Sequence, residues 1–186
     1  MKIQAFHRVN TFTGLREATI LSDADQCADL IIEAERPLLI VGKKVLEEKG
    51  LDKPLGEYAI DIADAANMPI CATADSTKSL IQLGWMPEST LDFVEIINHL
   101  KNKSWMGVKK AGNHDLAIFM GIRSDLLERG LSTLKHFAPH LKTMTLCNHV
   151  CPNANYSLPN WIRGNKWQGF VIEVIQALNK KNKISN

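Results

Sequence analysis

Two continuous apolar runs place the tightest limit on what this chain can become. Pro37-Leu38-Leu39-Ile40-Val41-Gly42 and Asp115-Leu116-Ala117-Ile118-Phe119-Met120-Gly121 are shorter than ordinary helices and are closed by turn residues. Neither alternates between apolar and polar positions. A strand that is apolar at every position must be covered on both faces, and parallel sheets are built from such strands. Two further segments fit the same description less strictly, Pro69-Ile70-Cys71-Ala72-Thr73 and Lys142-Thr143-Met144-Thr145-Leu146.

Helical spacing fills the intervals. Ser22 or Asp23 is placed to cap a helix over about 24–35, with Cys27, Leu30, Ile31 and Ala34 on one face. A second helix is predicted over about 54–67, with Leu55, Ala59, Ile62, Ala63 and Ala66 inward. A third carries Leu91, Val94, Ile97 and Leu100, and a fourth Leu126, Leu127, Leu131, Leu134 and Phe137. The last runs over about 167–180 with Phe170, Val171, Val174, Ile175 and Leu178, and its closing lysines suit the negative end of the helix dipole. A short helix is expected within 76–84. Helices alternating with buried strands predict an α/β fold, a Rossmann-like three-layer α/β/α domain with a mostly parallel sheet. The chain reads as a single domain over 1–186, with an irregular Asn/Pro-rich loop at about 147–164 and a short basic tail at 179–186.

Composition narrows the functional classes. With 186 residues, 45% of them hydrophobic, the chain can bury a core without disulfide or metal staples, and disorder is excluded as its main state. The net charge of +2 owes three lysines to the last seven residues, Lys180, Lys181 and Lys183, so nothing indicates a nucleic-acid partner. The apolar runs are far shorter than the ~20 residues of a membrane span, and the opening residues lack the apolar stretch of a signal peptide. Four sparse cysteines suit a reducing compartment, and a cytoplasmic location is expected.

In a doubly wound sheet, ligands sit beyond the carboxyl ends of the strands. The residues there include Gly42, Lys43 and Lys44, then Thr73 with Ala74 and Asp75, then Gly121 and Arg123, then Asn148 and His149. Glycines let backbone approach a ligand, and the cationic side chains suit phosphate. Gly42, Lys43, Lys44, Thr73, Gly121 and Arg123 are therefore candidate cofactor-binding residues for a flavin or nucleotide. No G-x-G-x-x-G motif follows the first strand, and glycine at a strand end is also ordinary turn chemistry. Gly107 to Gly112 has a phosphate-loop spacing but precedes a strand, and reads as a surface turn.

Cys147-Asn148-His149-Val150-Cys151 carries thiolate and imidazole chemistry, but no spacing picks out a fourth ligand. We read these as incidental loop thiols and assign no metal ligand. Cys27 and Cys71 read as small core hydrophobes. There is no G-x-S-x-G or H-E-x-x-H motif, Asp61 and Asp64 fall on a polar helix face, and the six histidines, His7 included, are expected at the surface. In the irregular segment, asparagine amides can replace missing backbone hydrogen bonds. Its Tyr156, Leu158 and Trp161 are candidate partner-binding residues, or else a cover for the sheet edge.

Several blocks in order carry a family resemblance: Ala34-Glu35-Arg36-Pro37 running into Leu38 to Gly42; Ala63 to Ala72 around Asn67-Met68-Pro69-Ile70; Gly112-Asn113-His114-Asp115 running into Leu116 to Ile122; Leu134-Lys135-His136-Phe137 through Lys142-Thr143; and Pro152-Asn153-Ala154 with Ser157-Leu158-Pro159-Asn160. Together they resemble the epsilon subunit of the archaeal carbon monoxide dehydrogenase/acetyl-CoA synthase (acetyl-CoA decarbonylase/synthase) complex, over most of the chain. The resemblance implies a Rossmann-like fold similar to the middle domain of thiamine-diphosphate enzymes. It implies a non-catalytic subunit of a complex that makes or cleaves acetyl-CoA in anaerobic archaea, bound to the large alpha subunit that carries the nickel-iron-sulfur centre. Roles it suggests are stabilising that subunit or assisting electron transfer to FAD, and self-association is a further option. It offers no catalytic residue. The Cys147 to Cys151 segment departs from the family's pattern, which points away from a family cofactor site there. A blander alternative is a related domain that has lost its ligand and gained another partner.

Overall fold

The structure is a computed structural model and describes residues 12–47, 53–73, 76–161 and 164–185. Seven strands form one sheet: β1 (Thr19–Ile20), β2 (Pro37–Val41), β3 (Ile70–Ala72), β4 (Ser89–Thr90), β5 (Leu116–Met120), β6 (Lys142–Thr145) and β7 (Tyr156–Ser157). The helices are α1 (Ala24–Ile32), α2 (Lys44–Glu47), α3 (Leu55–Ala65), α4 (Ser76–Gln82), α5 (Phe93–Lys101), α6 (Ser124–Phe137) and α7 (Gly164–Ser185). The strand order is β1-β7-β6-β5-β2-β3-β4, with every neighbouring pair parallel.

The apolar runs sit where their covering requires. β2 and β5 are adjacent at the centre, in register from Pro37 opposite Leu116 to Val41 opposite Met120. Leu39, Val41, Ile118 and Met120 face a core shared with α1, α3 and α7. Leu38, Ile40, Ala117 and Phe119 face a second core shared with α5 and α6. Two cores on opposite faces of one sheet are the three layers expected from the sequence. Among the described residues, no helix is long and apolar enough to cross a membrane.

The four predicted strands are present. The two-residue strands β1, β4 and β7 are additions, and β7 lies inside the segment read as irregular. On α5 the buried face is Phe93, Ile96, Ile97 and Leu100, while Val94 is exposed, so the predicted stripe is turned by one position. Phe137 is likewise exposed at the end of α6. The residues read as a basic tail continue α7 to Ser185, where Lys181 pairs with Asp29 and approaches Asp25 at 4.0 Å.

Two histidines expected at the surface are buried. His114 is held between Arg36 O, 2.9 Å from its Nδ1, and Val108 N–H, which donates to its Nε2 at 3.2 Å. His149 is buried beyond the end of β6. His7, Ala74 and Asp75 lie outside the described residues.

Candidate functional site

The chain runs outward from β2 through β3 to β4, then returns beside β2 as β5 and proceeds to β6 and β7. The reversal between β2 and β5 makes their carboxyl ends the topological switch point. Gly42 and Gly121 stand there and pack onto each other. A Cβ on Gly42 would lie 2.5 Å from Gly121 O, and one on Gly121 would lie 2.3 Å from Val45 Cγ1 and 2.7 Å from Val45 N. Gly121 also has φ +68°, a left-handed conformation that favours glycine. Gly42 N–H donates to Met120 O at 2.9 Å, and Lys44 N–H to Gly121 O at 2.8 Å. Both glycines thus serve the approach of chain to chain.

The other candidate cofactor residues are spread around this point. Lys44 is half-buried and shares a small cleft with Gly121, while Lys43 is exposed. Thr73 is buried, and its hydroxyl donates to Val41 O at 3.0 Å. Arg123 is exposed and grips Asp125 through two hydrogen bonds of 2.7 and 2.6 Å. That fork holds the Asp125 carboxyl down at about 2. The cleft itself encloses about 20 Å³ among Lys44, Gly121, Ile122, Cys147, His149 and Trp167, room for roughly one water.

Beside it the β6 carboxyl end leads into Cys147, His149 and Cys151. All three are buried, and one ligand atom from each lies within 4.8 Å of the others. The neighbouring Cys147 thiol, together with burial, pushes the Cys151 thiol well above its usual range. The loop is fixed by side chains that follow it: Val150 N–H donates to Asn160 Oδ1 at 2.8 Å and Cys151 N–H to Ser157 Oγ at 2.9 Å. Asn155 Oδ1 accepts from Thr143 N–H at 2.8 Å, and Asn153 Nδ2 donates to Glu128 Oε2 at 2.7 Å. The asparagines replace backbone partners as their composition suggests. Glu128, whose carboxyl pKa is raised by burial, escapes a reading of the sequence because it looks like any polar helix residue.

Of the candidate partner residues, Tyr156 is half-buried in β7 and Trp161 is half-buried with its ring centroid 5.9 Å from that of Phe170. Leu158 is wholly enclosed in the larger core. It offers no surface to a partner, and its place in that set is corrected to a core residue.

A family profile described as CO dehydrogenase beta subunit/acetyl-CoA synthase epsilon subunit matches residues 3–172. The chain belongs to this family. Three similar proteins accord with the membership of this epsilon-family chain. The acetyl-CoA decarbonylase/synthase complex subunit epsilon of Methanothermobacter thermautotrophicus is 40% identical over 131 residues, covering 70% of this chain and 72% of the relative. Subunit epsilon 1 of Archaeoglobus fulgidus is 36% identical over 146 residues, covering 78% and 76%. Subunit epsilon 1 of Methanosarcina barkeri is 32% identical over 159 residues, covering 83% and 86%.

Proposed function

We propose that this epsilon-family chain is a non-catalytic accessory subunit of the carbon monoxide dehydrogenase component of an acetyl-CoA decarbonylase/synthase complex. In this reading it works in the cytoplasm and stabilises a large nickel-iron-sulfur alpha subunit. The observation that carries the reading is the extent of the family match, which includes all seven strands and the asparagine-clamped loop. The glycine contact at the switch point supports it, because there backbone packs on backbone at the strand ends.

The half-buried Tyr156 and Trp161 are the anchors we assign to the partner. Trp161 Nε1 is buried with no hydrogen-bond partner among the described residues. A tagged pull-down from the source cells is expected to recover the large subunit near equal stoichiometry. Tyr156→Ala and Trp161→Ala are each expected to weaken that association by about 2 kcal/mol, the size typical of interface anchors. Full recovery by both variants would remove this surface from the proposal. Recovery of the chain alone, with the large subunit shown intact in the same lysate, would overturn the subunit reading.

The second reading, a flavin- or nucleotide-binding electron-transfer subunit, places FAD at Gly42, Lys43, Lys44, Thr73, Gly121 and Arg123. The position of these residues around the switch point supports it. With so little room among the described residues, that site would need a partner to complete it. FAD titrated against the isolated chain and against the complex separates these cases.

A further inference from the structure

We propose that Cys147, His149 and Cys151 form a mononuclear site for a divalent cation of the zinc class, with its fourth coordination position opening on the switch-point cleft. The spacing sets one ligand at every second residue of a loop that leaves the sheet at β6. Sequence alone makes the two cysteines incidental, but the fold buries both and turns His149 to meet them. In a tetrahedral site with metal–sulfur bonds of about 2.3 Å and metal–nitrogen bonds of about 2.0 Å, ligand atoms stand about 3.5–3.8 Å apart. With the three atoms within 4.8 Å of one another, no pair has to close by more than about 1.3 Å.

Charge and hydrogen bonding favour the same occupant. Each thiol surrenders its proton to solvent as the cation binds, so two thiolates and a divalent ion give a neutral unit suited to a buried place. Thiolate and imidazole together select zinc-class ions over the hard cations that prefer oxygen. His149 Nδ1 lies 3.1 Å from Asn148 Oδ1, the outer hydrogen bond that orients a ligating imidazole through its other nitrogen. The loop is held before any ion arrives by Asn160 on Val150, Ser157 on Cys151, and a 3.0 Å bond from Trp161 N–H to Asn148 O. Cys147 and His149 line the water-sized cleft, whereas Cys151 lies behind it with no exposed surface. Three protein ligands with an adjoining water-sized space are the makings of an open site rather than a closed structural one.

The test uses the full chain, reduced and stripped with a chelator, and titrated with cobalt(II) and then zinc(II). The expected result is one equivalent of cobalt(II) bound, with a thiolate-to-metal charge-transfer band and the visible bands of a tetrahedral ion. Zinc(II) should displace it, and two protons should be released per metal in weak buffer. Cys147→Ser and Cys151→Ser should each weaken binding at least about tenfold, whereas Cys27→Ala, at a thiol beside Met144 in the larger core, should leave it unchanged. If the serine variants do not fold, the unmodified chain decides the matter. Absence of a thiolate band at millimolar cobalt(II) in folded, reduced protein would overturn the proposal, as would undiminished binding by folded Cys151→Ser. The measurement needs no partner, so it stands or fails apart from the pull-down.

Discussion

His114 carries its proton on Nδ1. Val108 N–H can only donate, so the Nε2 it meets must accept, and Nδ1 then donates to Arg36 O. Burial lowers the pKa below the usual imidazole value, and protonating Nε2 would in addition destroy the Val108 bond. The unfolded chain therefore takes up this proton before the folded one does. Stability from His114 is complete above about pH 6.5 and falls as pH drops toward the lowered folded value. Urea melts at pH 7.5 and pH 5 are expected to show this loss in the native chain and a shallower one in His114→Gln. Gly121 gives a second test at this scale. With φ +68° and Val45 atoms 2.3 and 2.7 Å from where a Cβ would stand, Gly121→Ala is expected to cost about 3 kcal/mol or more in a denaturant melt. The two residues differ in how far the sequence discloses them. The apolar run before Gly121 puts it at a strand end, but nothing in one chain tells whether a glycine admits a ligand or another stretch of backbone. The burial of His114 depends on Arg36, which is remote in sequence, so no local pattern shows it.

Asp115 joins elements that the sequence keeps far apart. Its carboxylate accepts from Glu35 N–H and Arg36 N–H, each at 2.8 Å, and Arg36 Nε donates to Asn113 O at 2.7 Å. Two of the blocks that carry the family resemblance are thus one structural unit, binding the start of β2 to the start of β5. Asp115→Ala is expected to destabilise the fold by about 2 kcal/mol, since charge-assisted bonds to two backbone donors are lost together. Circular dichroism during a urea melt would read it. Long elements are legible because periodicity accumulates over them: β2, β5, α1, α3 and α6 all stand where their spacing puts them. The two-residue strands β1, β4 and β7 carry no period to read. On α5, two apolar stripes one residue apart compete, and the choice falls to Phe93, whose ring meets Phe119 edge-on with centroids 6.3 Å apart. That contact belongs to the tertiary structure and leaves no trace in helical spacing.

Across the whole molecule, the rule that ligands gather beyond strand ends points to one side of the sheet, and the converging side chains of Cys147, His149 and Cys151 stand on that side. The rule does not distinguish among the loops there. The loop after β6 looks incidental in the sequence because its clamps, Ser157 and Asn160, follow in a segment whose course has no periodicity to show it. The arrangement of the edge strand has one more consequence. Among the described residues β1 hydrogen-bonds to no strand but β7, and α1 packs on α7, so the earliest described elements find their partners in the latest. As the chain leaves the ribosome, the central strands can associate while the segment destined for β1 waits for β7 to appear. That border of the sheet therefore forms only after Tyr156 and Ser157 have been made. A binding partner resting across β1 and β7 would pass over any chain that stops short of β7.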